Sequence, residues 1–224
     1  MDAVPAVLFD VDGTLVDSNY LHIHAWCRAF DELGLSVEAW RIHRCIGMDG
    51  SRLVAFLTGD AQQDVQRRAK ELHGRYFTES AGLLRRLPGA RELLERIHGL
   101  GLRIVLATSA GEEELELLRK VLDSDDLISA MTSSKDVEVA KPEPGIIQVA
   151  LDRAGVEAAD ACYVGDAVWD ILACKNAGLR SLGVLSGGVA REELQNAGAE
   201  KVFDNAQEMC QRFDDTGISE LRSA

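Results

Sequence analysis

An apolar run, Ala6-Val7-Leu8-Phe9, breaks directly into Asp10-Val11-Asp12-Gly13-Thr14. A short aliphatic and aromatic run that ends at a glycine reads as a buried strand. The two-residue period of a strand puts Asp10 and Asp12 on one side and Val11 on the other. Two carboxylates about 4 Å apart repel by roughly 4 kcal/mol at an effective dielectric of 20. A strand that ends this way needs cations to neutralise the pair. Gly13 lets the backbone turn with no side chain in the way of an incoming group. The competing reading is a pair of turn and capping carboxylates after a strand.

Beyond this strand the chain splits into two regimes. Residues 17–82 read as helix throughout. Ser18 stands before a helix from about Tyr20 to Leu33, with Ile23, Trp26, Ala29, Phe30 and Leu33 at helical spacing. A second helix covers about Val37 to Cys45, and Ser51 caps a third that runs to Leu57. A charge-rich fourth spans Ala61 to Phe77. From Pro88-Gly89 onward helices and strands alternate. The strands are Leu102 to Ala107, Leu127 to Met131, Ala161 to Val164, Ser181 to Leu185 and Lys201 to Phe203. Helices separate them at 90–98, 112–122, 145–154, 169–177 and 191–196, and a last one runs to Phe213. Strands joined through helices imply right-handed crossovers and a mostly parallel sheet. The expected fold is therefore α/β: a doubly wound, Rossmann-like parallel core from residues 1–16 and 83–224, with an all-helical cap inserted at 17–82. Ligands on such sheets bind beyond the carboxyl ends of the strands.

The charged motifs fall at those ends. Thr108-Ser109 follows one strand, where a hydroxyl residue is most often a helix cap. Lys141 opens Lys-Pro-Glu-Pro-Gly; lysines usually sit in solvent, but this one falls in an acidic constellation that requires a cation. Asp166 and Asp170 stand four apart at a helix start, on one face, where acidic groups also suit the helix dipole. His24, His43, His73 and His98 show no metal-ligand spacing.

A formal charge of −13 excludes nucleic acid backbones and anionic membranes as natural partners. Any affinity for an anionic ligand must be local. Five cysteines without CxxC spacing read as reduced thiols, and no stretch approaches the ~20 apolar residues of a membrane span. A cytoplasmic monomer or homodimer is expected.

With Asp10, Asp12, Thr108, Lys141 and Asp166/Asp170 in this order, the chain resembles the haloacid dehalogenase-like hydrolase superfamily over residues 5 to 210. It is most similar to the phosphoglycolate phosphatase and β-phosphoglucomutase branch. The resemblance implies a magnesium-dependent phosphatase of small phosphorylated metabolites. Asp10 would be the nucleophile and Asp12 the general acid and base, with Thr108 and Lys141 completing the catalytic set. Asp10, Asp12 through its carbonyl, Asp166 and Asp170 would hold Mg²⁺. Dehalogenase members lack the second aspartate, so Asp12 favours phosphoryl chemistry. Thr14 is expected to hold the loop. Ser109, His22, Arg44 and Arg52 are the expected substrate-binding residues, the two arginines flanking a loop that matches the family's specificity loop. His22 and Trp26, one helical turn apart, match a histidine and tryptophan of the mutases, although a lone helical histidine is more often structural. The mutases carry a lysine four residues before a tyrosine. Here Leu72 precedes Tyr76, which favours hydrolase over mutase. A non-catalytic binding protein on the same fold would have no need of all six core residues.

Overall fold

The computed structural model describes residues 4–59, 62–136 and 141–222. The chain begins with β1 (Ala6–Phe9), all of it buried. β2 (Val16–Asp17) and β3 (Arg85–Arg86) pair antiparallel, Val16 opposite Arg86 and Asp17 opposite Arg85. Between them lie α1 (Asn19–Glu32), α2 (Ala39–His43), α3 (Gly50–Thr58) and α4 (Gln63–Glu79). Then come α5 (Ala90–Gly99), β4 (Arg103–Ala107), α6 (Glu112–Leu122), β5 (Ala130–Thr132) and α7 (Gly145–Ala154). The chain continues through β6 (Ala161–Gly165), α8 (Val168–Asn176), β7 (Ser181–Val184), α9 (Arg191–Ala197), β8 (Lys201–Phe203) and α10 (Ala206–Gln211).

The main sheet is parallel, in the order β5-β4-β1-β6-β7-β8. From β1 the chain builds outward through β4 and β5, then returns to the other side of β1 for β6. That reversal puts the topological switch point, where such sheets bind ligands, at the carboxyl ends of β1 and β6. Val7 and Phe9 pack with Ile104, Leu106 and the Leu93, Leu94 and Ile97 face of α5. Ala6 and Leu8 pack with Val105, Ala107 and the Ile146, Ile147 and Leu151 face of α7. Alternate residues thus feed opposite layers, which is why these strands read as unbroken apolar runs. The inserted helices bury Trp26, Phe30, Leu72 and Phe77 in a cluster continuous with the first of those layers.

The α/β class and the parallel sheet agree with the sequence reading. Several local expectations change. The third expected strand begins later, because Asp125–Leu127 winds into a 3₁₀ turn and pairing starts only where the Ser129 N–H reaches the Ile104 carbonyl at 2.8 Å. Asp49, not Ser51, caps α3, its carboxylate accepting from the N–H groups of Ser51 and Arg52 at 2.8 and 3.4 Å. Ser18 does precede α1, but its hydroxyl makes no cap bond and turns elsewhere. The expected first residue of the fourth helix, Ala61, lies outside the described residues.

Candidate active site

Asp10 follows β1 directly and keeps its register, its N–H donating to Val164 of β6 at 2.9 Å. Its carboxylate is buried and receives Lys141 Nζ at 3.1 Å. The same ammonium, 1% exposed, donates to Asp170 Oδ1 at 2.6 Å and to the Tyr163 hydroxyl at 3.0 Å. A lysine is so deeply buried only when carboxylates hold it there. Burial alone would lower its pKa, but the charges of Asp10 and Asp170 overcome that and raise it.

Asp166 directly follows β6 and is held by the loop after β1 and the first residue of α1. Thr14 Oγ1 donates to one carboxylate oxygen at 3.0 Å and Asn19 Nδ2 to the other at 2.7 Å. Gly13, at φ +68°, and Gly187 make room for this, since a Cβ on either would run into Asp166 and Asn19. One oxygen from each of Asp10, Asp166 and Asp170 falls within a 4.8 Å cluster that could hold a cation. Burial pushes Asp10 well above its ordinary pKa despite Lys141. Burial and then Asp170 push Asp166 up to about 7. Asn19 Oδ1 is buried without a donor. Asp170 differs from the other two. Lys141 and the Tyr163 hydroxyl engage its Oδ1, and the Ala167 N–H engages its Oδ2 at 3.1 Å.

Asp12 lies past the end of the strand but lines the same cavity as Asp10. Ser18 Oγ donates to its Oδ1 at 2.5 Å, and His22 Nε2 approaches the same oxygen at 3.1 Å. Against burial, which would raise it, the His22 charge and the bonds from His22 and Ser18 hold Asp12 below the usual carboxylate range. His22 is raised in turn, because Asp12 outweighs the burial that would lower it. Behind His22 stands His73, with Nδ1 and Nε2 of the respective rings 3.0 Å apart. Burial, then the neighbouring His22, holds His73 well below its ordinary pKa. The far nitrogen of His73 faces Glu114 at 3.4 Å.

The cavity has a volume of about 420 Å³. It brings together Asp10, Asp12, His22, Thr108, Ser109, Lys141 and Asp166, as expected from the sequence. Thr108 Oγ1 accepts from the Ala110 N–H at 3.0 Å, so its own proton is left to donate. Arg44 and Arg52 are not brought to it. Arg44 pairs with Glu193 of α9 at 2.6 Å, and Arg52 is exposed. Backbone atoms of their loop approach the core instead: the Arg44 carbonyl accepts from Trp169 Nε1 at 3.0 Å. An exposed pair of this kind contributes about 0–1 kcal/mol. Arg44→Ala and Arg52→Ala are therefore expected to change kcat/KM less than ~3-fold, measured by phosphate release on the best substrate. His73, set aside above for want of a metal-ligand spacing, and Glu114 join the site with no spacing signal relative to His22 in the sequence.

A parallel sheet with paired carboxylates and a buried lysine at its switch point defines a class of hydrolytic α/β enzymes. The model of the haloacid dehalogenase-like hydrolases matches residues 7–184, and the chain belongs to that family. Over 201 residues it is 31% identical to a phosphorylated carbohydrates phosphatase of Thermotoga maritima, covering 87% of this chain and 91% of that one. It is 30% identical to a phosphoglycolate phosphatase of Rhodospirillum rubrum over 210 residues, 89% of this chain and 87% of the other. Among solved structures, a hydrolase from Pseudomonas syringae superposes with a TM-score of 0.91 at 32% identity, covering 94% and 98% of the two chains.

Proposed function

We propose that this protein is a magnesium-dependent phosphatase of small phosphomonoesters that acts through an aspartyl-phosphate on Asp10. The observation that carries this reading is the unequal treatment of two neighbouring carboxylates. Asp10 is bound to a buried ammonium, and Asp12 is bound to a histidine and a serine. Two like groups in such different settings suit two roles, nucleophile and proton carrier. The negative charge of the bound phosphoryl group draws a proton onto Asp12 from solvent; Asp10 then attacks phosphorus as the bond to the leaving oxygen breaks, and Asp12 gives that oxygen the proton. Water then attacks the phosphoryl group and Asp12 takes a proton back, freeing inorganic phosphate and restoring Asp10. Thr108, Ser109 and Lys141 hold the phosphoryl oxygens and offset their charge.

The donor set fits Mg²⁺: hard oxygens, carboxylates that burial makes reluctant to stay charged alone, and a buried oxygen acceptor without a partner at Asn19. We assign Asp10, Asp166 and the carbonyl of Asp12 as ligands. Asp170, expected to be a fourth, has an oxygen in the same cluster and also holds Lys141. When bound, the ion supplies positive charge that lets an anionic nucleophile meet an anionic phosphoryl group. Chelation is expected to abolish phosphate release, and Mg²⁺ to restore it where the larger Ca²⁺ does not.

Protons compete with the ion for the raised carboxylates. Asp166 titrates near pH 7, so below it a proton must leave before the metal binds. The apparent Mg²⁺ affinity is expected to rise up to ~10-fold per pH unit below 7 and to level off above. In the metal-free protein the sign is opposite. A carboxylate raised on folding costs stability as pH climbs from its unfolded value toward 7, so the Mg²⁺-induced rise in Tm should grow over the same window. A thermal shift that does not change between pH 5.5 and 8 would remove Asp166 from the site.

The leaving group we assign is an uncharged alcohol such as a sugar or polyol. No arginine lines the cavity among the described residues. Lys141 stands at the phosphoryl end of the site beside Asp10, Lys135 pairs with Glu112, and Lys70 donates to Ser51 at 2.9 Å. Asp49, Glu112, Glu113 and Glu114 line the same space. A second phosphate or a carboxylate on the substrate would meet net negative charge. This favours hydrolysis over mutase chemistry, which must hold a second phosphate, and favours sugar monophosphates over phosphoglycolate. A phosphate-release panel of matched pairs tests it: glycerol phosphate is expected to exceed phosphoglycolate in kcat/KM by ~10-fold or more. A preference for the anionic member would contradict the assignment. We assign α1 to α4 the role of a cap over this cavity, spanning residues 17–82. The acidic surface and five free cysteines suit a cytoplasmic enzyme, monomeric or homodimeric.

A further inference from the structure

We propose that His73 and Glu114 are positioning residues for the acid step, the far end of a chain of polar contacts that fixes His22 and through it the carboxyl of Asp12. The inference rests on the reading of Asp12 as general acid. The chain leaves the core at Asp12, crosses α1 at His22 and α4 at His73, and returns to the core at Glu114 of α6. All four groups border the cavity.

The order of donors is set from its core end. Glu114 is tied to the start of α6 by the Gly111 N–H at 3.1 Å, and an ionised carboxylate can only accept. The nitrogen of His73 that faces it, Nδ1, therefore carries hydrogen. A neutral His73 is left with Nε2 as an acceptor, which draws a hydrogen of His22 onto Nδ1. The ionised Asp12 can only accept as well, so Nε2 of His22 also carries hydrogen and the ring donates from both nitrogens, to His73 and to Asp12. The tautomer of His73 thus fixes the direction of the bond between the two rings, as an outer carboxylate does for a ligating histidine. Stacking prevents either ring from turning out of line. His22 lies on Phe77, ring centres 4.0 Å apart and 9° from parallel, and His73 lies on Trp26 at 4.1 Å and 17°. Ser18 and His22 both act on Oδ1 of Asp12, which leaves Oδ2 for the proton passed to the leaving group. Because two links of the chain join inserted helices to the core, the acid is aligned only while those helices sit as they do here.

A packing role and a positioning role separate by leaving group. An alkoxide leaving from glycerol phosphate needs the acid's proton, whereas p-nitrophenolate leaves with little help. The ratio kcat/KM covers steps up to the first phosphoryl transfer, before the shared hydrolysis of the enzyme intermediate. His73→Phe keeps the stack and removes both nitrogens. It is expected to lower kcat/KM for glycerol phosphate ~10-fold or more, and for p-nitrophenyl phosphate less than ~3-fold. His73→Gln, whose amide oxygen can accept from His22, should recover most of the loss. Glu114→Ala should cost alkyl turnover alone but add little to His73→Phe, since the chain is already cut. Equal losses on both substrates, or none on either, would overturn the proposal. Should His73→Phe fail to fold, Glu114→Ala carries the same comparison. Asp12→Asn separates the two readings. If it does not favour the aryl substrate, Asp12 is not the acid; if it does and the His73 and Glu114 variants do not, only the chain falls.

Discussion

Asp10→Asn is expected to lower turnover at least ~10³-fold while the fold stays intact or gains stability. The amide keeps the shape of the carboxylate but has no charge with which to attack phosphorus. It also relieves a site that carries more negative charge than its neighbours neutralise. Burial, Asp170, Asp166 and Asp12 all oppose the charge on Asp10, and Lys141 alone favours it. A neutral side chain at this position therefore suits the metal-free fold. Lys141 keeps Asp170 at 2.6 Å as a partner, so no buried cation is orphaned. Phosphate release and thermal unfolding of the same preparation check both halves. Turnover near that of the unsubstituted protein would take the nucleophile's role from Asp10.

Lys141→Met is expected to damage stability as well as activity. The thioether fills much of the lysine's volume, but Asp10 and Asp170 then lie buried without their ammonium. Removing one member of a buried ionic set costs about 3–5 kcal/mol, because the charge left behind has neither water nor partner. The pH dependence has a definite sign. Protons take the place of the ammonium as pH falls, so the deficit should shrink between pH 7.5 and pH 5. The lysine's own titration plays no part there, since its pKa is raised above an already high value. Asp170→Asn in the Lys141→Met background should recover part of the loss. Denaturant unfolding reads all of this, and a cost under ~1 kcal/mol would mean that water reaches the site.

Much of the architecture could be read from pattern because local and long-range forces agree. The unbroken apolar runs of β1, β4 and β6 are legible since both faces of the sheet are covered, and α6 and α7 match their expected spans. The β2–β3 ribbon was not legible, because two residues per strand carry no period. Among site residues, Asp10, Asp12, Thr108, Lys141 and Asp166 are marked by their place after a strand or by neighbouring glycine and proline. Arg44 was misplaced for the opposite reason. A charge beside a glycine loop looks the same in sequence whether it faces a ligand or, as here, Glu193. Asp170 lies in the carboxylate cluster that its spacing implies, while its bond from Lys141 depends on a segment far away in the chain and is not legible. His73 and Glu114 meet His22 only through the packing of α1, α4 and α6, which no local pattern encodes.

The central claim is a covalent phosphoryl intermediate on Asp10, and trapping it is the most direct test. The enzyme would be mixed with Mg²⁺ and excess glycerol phosphate, quenched in acid during turnover, and digested for peptide mass spectrometry. One added phosphoryl group is expected on the peptide that contains Asp10, lost on treatment with hydroxylamine and absent from Asp10→Asn. Turnover with no modified peptide at any quench time, or a phosphoryl group on another residue, would contradict the account.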